Sequence, residues 1–129
     1  MYRKRLESTK LLDGATSATS SVAYPMSDYD QIFLTIAGDG EWTIKIQASF
    51  QDEAPDFSQA AAADNQWTYI SVRALEDGTN IDGTTWITLG GTDAIASYLV
   101  NTPWVRWIGA TITSYTSGSV DVSLNGFIS

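Results

Sequence analysis

The sequence contains no cysteine and no histidine in 129 residues. Without cysteine there is no disulfide, no thiolate metal site and no thiol nucleophile. Without histidine the usual general base and the commonest zinc ligand are missing too, so an enzyme would have to work with carboxylates, Tyr or Lys. Charge is also scarce, at 17% of residues, against a usual ~25%. No apolar run approaches the ~20 residues of a membrane helix. The basic start, Met1-Tyr2-Arg3-Lys4-Arg5, is followed by no apolar stretch, so no secretory signal is expected.

Hydroxyls fill the place of charge, with fourteen Ser and fifteen Thr. Thr favours strands, and uncharged polar residues suit a surface that other protein covers. Hydrophobic residues at 43% and aromatics at 12% exclude a disordered chain. A mass of 14.0 kDa fits one domain. The net charge of −8 is unevenly spread: residues 1–10 hold four cations and one acid (+3), whereas residues 11–129 hold three cations and fourteen acids (−11). A basic arm on an acidic body points to an acidic protein surface as partner, with Arg3, Lys4, Arg5, Lys10, Leu11 and Leu12 as the docking residues. Nucleic acid is not expected as a partner, because phosphate would be repelled by the body. Nor is a membrane.

Along the chain, residues 1–21 read as an extended N-terminal arm and residues 22–129 as the domain. Period-two alternation, the strand signal, dominates from Val22 onward. Ile32, Leu34 and Ile36 share one face; Trp42, Ile44, Ile46, Ala48 and Phe50 share another run, opposite Thr43, Lys45, Gln47 and Ser49. Gly38-Asp39-Gly40 between them predicts a two-residue turn and a hairpin over 30–50. Residues 51–66 break the pattern as a long loop, with Ser58 placed to cap one turn over Ala60–Ala63. Strands are expected again at 67–75, 86–89, 94–100 and 104–115, with a turn at Ser117-Gly118 and a last strand through Val120, Val122 and Leu124. Asn125-Gly126 reads as a bulge. Seven or eight short strands and no helix predict an all-β antiparallel sandwich, jelly-roll-like in strand number.

Candidate sites are few. Asp77, Asn80 and Asp82 have a calcium-loop-like spacing but lack the terminal bidentate Glu. Asp-Gly pairs are also the ordinary material of turns, so no metal and no other cofactor is expected. Asp52, Glu53 and Asp56 could supply the two carboxylates of a glycosidase, yet loop acids are usually just solvated, and no catalytic residue is assigned. Trp42 falls in phase with a buried face. Trp104 and Trp107 have opposite parity on one expected strand, which turns one of them outward. With Trp67 and Trp86 they are the candidate aromatics for a subunit interface or for stacking on a glycan.

In order and punctuation the chain resembles the small β-sandwich head-decoration, or cement, proteins of tailed phages. Lys10-Leu-Leu-Asp-Gly-Ala-Thr-Ser-Ala-Thr-Ser20 is similar to their arm-to-domain lead-in, and residues 33–49 to their first hairpin. Asp82-Gly-Thr-Thr-Trp86 is similar to their turn, and residues 104–120 to their closing hairpin. The resemblance implies a non-enzymatic virion protein, made in the bacterial cytoplasm, that binds the major capsid protein on the assembled head as a homotrimer. Such a protein stabilises the shell by mass action, since it binds the lattice and not free subunits. The alternatives are a glycan-binding or host-adhesion module and a tail, neck or head-fibre component.

Overall fold

The computed structural model of the protein describes residues 5–89, 91–102 and 105–128. Every regular element among them is a strand: β1 (Arg5–Ala15), β2 (Tyr24–Pro25), β3 (Gln31–Ser49), β4 (Thr68–Tyr69), β5 (Val72–Ala74), β6 (Asn80–Ile81), β7 (Ile87–Thr88), β8 (Gly91–Val100) and β9 (Trp107–Phe127). They form a single antiparallel sheet in the order β1-β9-β3-β8-β5-β6, with β2 added to β9 and with β4 and β7 added to β3. The sheet is not closed and buries one apolar cluster, an all-β antiparallel arrangement compatible with the sandwich that the alternation predicts.

The expected hairpin over 30–50 is not formed. Residues 31–49 run straight through as β3, and the expected turn at Ser117-Gly118 likewise lies inside the 21-residue β9. The two long strands pair from Gln31↔Phe127 to Ser49↔Trp107. The glycines at 38, 40 and 118 therefore serve a crossing and not a reversal. Gly40 faces Gly118, with φ of 98° and 88°, values that favour glycine. A Cβ on Gly38 would strike the Ser119 carbonyl oxygen, and one on Gly118 would strike that of Asp39. Asp-Gly read locally gives a turn; the competing long-range pairing of two amphipathic strands prevails because it buries both.

On either side of Gly38 and Gly40 the even-numbered residues of β3 are buried: Ile32, Leu34 and Ile36, then Trp42, Ile44, Ile46 and Ala48. β9 keeps pace only by two bulges: Ile44 pairs with Ile112 but Trp42 with Tyr115, and Glu41 with Ser117. One extra residue would flip the buried face, and the second restores it. Tyr115, odd-numbered, thus packs on the core between the bulges. Gly126 is regular against Ile32; the irregularity expected there lies on the β1 side, between Leu6 and Thr9. At Gly126 an added Cβ would come 2.8 Å from the Tyr29 ring.

The segment expected as an extended arm runs, from Arg5, as an edge of the sheet. β1 pairs with the C-terminal half of β9, from Arg5↔Phe127 to Ala15↔Val120. The chain then continues along the other half: Ile112 N donates to Thr19 O at 2.8 Å, Ser21 N to Ala110 O at 2.8 Å, and Tyr24 pairs with Ile108. Residues 5–25 line the edge of β9 because that strand, paired with β3 on one side, leaves a full row of donors and acceptors on the other. Leu12 is buried and Leu11 packs beside it, which anchors the segment to the core.

Candidate functional site

β3 turns Thr43, Lys45 and Gln47 away from the core, and the 51–66 connection covers only one end of that outer face. Phe57 lands on β9 where Gly109 leaves bare backbone; a Cβ there would lie 2.6 Å from Phe57 Cε2. Gln47 Nε2 donates to Phe57 O at 2.9 Å, Trp67 Nε1 to Gln59 O at 2.9 Å, and Trp107 Nε1 to Gln51 O at 3.0 Å. Trp67 meets Phe57 and Tyr69 edge to face, with centroids 6.2 and 5.1 Å apart. Asp56 and Asn65 close the loop on itself, Asp56 N donating to Asn65 Oδ1 at 2.8 Å and Asn65 Nδ2 to Asp56 O at 2.9 Å. No helical turn forms at Ala60–Ala63; Ser58 instead donates through N and Oγ to the Asp56 carboxylate.

Beyond the covered end the face is open. Thr43, Lys45, Trp86, Thr113 and Ser114 line a cleft of about 390 Å³. Strand pairing sets its floor, with Thr43 opposite Thr88 on β7 and opposite Ser114 on β9. The Thr43 and Thr113 hydroxyls lie 2.8 Å apart. Lys45 Nζ sits 4.6 Å from the Tyr69 ring centre and 5.9 Å from that of Trp86, a cation held by two aromatic faces. Trp86 itself is 54% exposed.

Asp52, Asp56, Asp77 and Asp82 spend their carboxylates locally. Asp52 Oδ1 is 3.1 Å from Arg106 Nη1. The hydroxyl and amide of Ser58 hold the Asp56 carboxyl below its ordinary value, the opposite of what a general acid needs. Asp77 accepts from Thr79 N at 2.9 Å, while Asp82 accepts from Thr84 N, Thr84 Oγ1 and Thr85 Oγ1. These donors lower the carboxyl pKa of both. Asn80 is engaged by Asn101, and no group of three acidic residues that could hold a metal occurs among the described residues. The Asp77 and Asp82 carboxylates each close a turn.

Of the residues assigned to the arm, Arg3 and Lys4 lie outside the described residues. Arg5 starts β1 opposite Phe127. Lys10 is committed to the body: its Nζ is 3.3 Å from Asp13 and 3.5 Å from Asp121, and the bond to Asp13 followed by the charge of Asp121 raises its pKa. Among the aromatics, Trp67 and Trp107 serve as loop anchors, Trp86 stays open, and Trp104 lies outside the described residues. Phe50, expected inward, is 53% exposed.

No family model and no curated protein matches the chain. A solved structure does. The SPBc2 prophage-derived protein YomS shares the fold with a TM-score of 0.72 and 13% identity, over 98% of this chain and 96% of that one. The likeness covers nearly the whole of both chains.

Sequence reasoning missed Lys45, Tyr69, Thr43, Thr113 and Ser114 as a group. Parity alone put Lys45 and Thr43 on the outer face; what brings Tyr69 and Trp86 beside them is the docking of β4 and β7 on one strand, which no local pattern encodes.

Proposed function

We propose that the protein is a structural subunit of a phage particle and, more finely, that it decorates the assembled head. The end-to-end fold likeness to a prophage-derived protein carries this reading. Composition supports it: a hydroxyl-rich, charge-poor chain suits attachment to other protein, and Asp82 and Asp52 serve a turn and an ion pair. Because Arg5–Ala15 is committed to β9, attachment is assigned to the sandwich surface and the basic start before β1, not to a long free arm.

The test is co-sedimentation with empty heads from the particle whose genome encodes the chain, with oligomeric state measured by light scattering. Saturable binding of a discrete trimer is the expected result. Removing residues 1–4 should slow docking, since basic residues that meet an acidic surface contribute to association rate and register more than to net affinity. Removing residues 1–12 should instead expose the edge of β9 and strip Leu12 from the core. A monomer that ignores heads contradicts the decoration reading.

A further inference from the structure

We propose that the cleft between Trp86, Lys45 and Thr113 is a saccharide-binding site for a carboxylated sugar. This stands independently of where on a particle the protein sits.

Three features carry it. Trp42, Trp67 and Trp107 each donate the indole N–H to a backbone carbonyl, of Asp39, Gln59 and Gln51 respectively. Trp86 makes no such bond among the described residues and leaves a ring more than half exposed, on the rim of a cleft. An indole kept out of the core with both a ring face and a donor available is a platform for a pyranose, whose C–H face is apolar and whose rim is polar. Next, Lys45 is a cation in an acidic body that pairs with no carboxylate among the described residues, and no acid lines the cleft. Its ammonium is positioned by Tyr69 and Trp86, whose rings neutralise no charge, so it remains available for an anion. Finally, the Thr43, Thr113 and Ser114 hydroxyls, each able to donate and accept, stand on the paired strands β3 and β9, so they are fixed in register before a ligand arrives.

The anion is a single carboxylate by this chemistry. A lone lysine is a point charge that suits one carboxylate per sugar. A phosphate is better matched by Arg forks or several cations. A volume of about 390 Å³ is at the small end of ligand sites, enough for one or two rings.

The experiment is a titration of the ¹⁵N-labelled full chain, following the tryptophan indole signals. The probes are oligomers of galacturonate, glucuronate and N-acetylneuraminate, their neutral counterparts, and a poly(glycerol phosphate). At least one carboxylated oligomer should move the Trp86 indole signal saturably and bind more tightly than its neutral counterpart. Trp86→Ala, followed on the backbone amide signals of Thr43, Lys45 and Thr113, should weaken that binding by about tenfold or more, as expected of an aromatic anchor. Lys45→Gln should abolish the preference for acidic over neutral sugar while the indole dispersion of Trp42, Trp67 and Trp107 stays unchanged. No saturable shift across the panel overturns the proposal. So does an acidic preference that survives Lys45→Gln, or binding of the glycerol phosphate polymer alone.

Discussion

Two connections in this molecule are written in nearly the same language and end in opposite commitments. Residues 50–67 and 75–86 are both acidic, both closed by Asp turns, and each delivers a Trp directly before a two-residue strand that pairs with β3. The first folds back over the sheet and is held there by two side-chain bonds from the sheet to its backbone, with a third, from Trp67, within it. The second leaves to pair β6 with β5, so nothing returns to cover Lys45, and Trp86 stays in solvent. The difference is one aromatic and its seat, Phe57 on Gly109. Shared turn chemistry therefore sets the shape of a loop, while a single apolar landing point decides whether it becomes cover or cleft.

The most disruptive change should be at the crossing on which both connections depend. Gly118→Ala puts a Cβ into the Asp39 carbonyl at a φ of 88°. A loss above about 3 kcal/mol is expected from the strain and the clash together, read by denaturant unfolding. Next, Phe57→Ala removes a ring that is 3% exposed and should cost about 3 kcal/mol, with faster amide exchange confined to 51–66. Its counterpart Trp86→Ala should change stability by no more than about 0.5 kcal/mol, and equal costs for the two would erase the distinction. Acid should act on both connections alike. Asp56, Asp77 and Asp82 have carboxyl pKa values held down by hydroxyl and amide donors, so their contribution is full above the ordinary value of 3.8 and fades as pH falls through the lower folded values. Asp56→Asn and Asp82→Asn should each flatten the acid side of a Tm-against-pH curve, and a slope unchanged by both would refute it.

The class of fold was legible because alternation is a local signal: Ile32, Leu34 and Ile36, then Trp42, Ile44, Ile46 and Ala48 read inward by parity alone, and they are buried. Strand continuity was not. Gly38-Asp39-Gly40 carries the same residues whether the chain reverses or crosses, and only the matching Ser117-Gly118-Ser119 opposite decides between them. The basic start read as an arm because Arg3, Lys4 and Arg5 dominate its composition; the buried Leu12 that ties it to β9, with Leu11 beside it, is a short apolar pair between charged residues. Trp86 was among the candidate aromatics, but its partner Tyr69 lies on a different short strand, and their meeting over Lys45 is a consequence of sheet order.

One measurement tests the division most directly: hydrogen exchange of the assigned tryptophan indole N–H groups in the unmodified protein. Trp42, bonded to Asp39 O at 2.9 Å and 1% exposed, should exchange most slowly. Trp67 and Trp107, bonded to loop carbonyls, should be measurably protected, while Trp86 exchanges at the rate of a free indole. A protected Trp86, or unprotected Trp67 and Trp107, would contradict the assignment of one face as covered and the other as open.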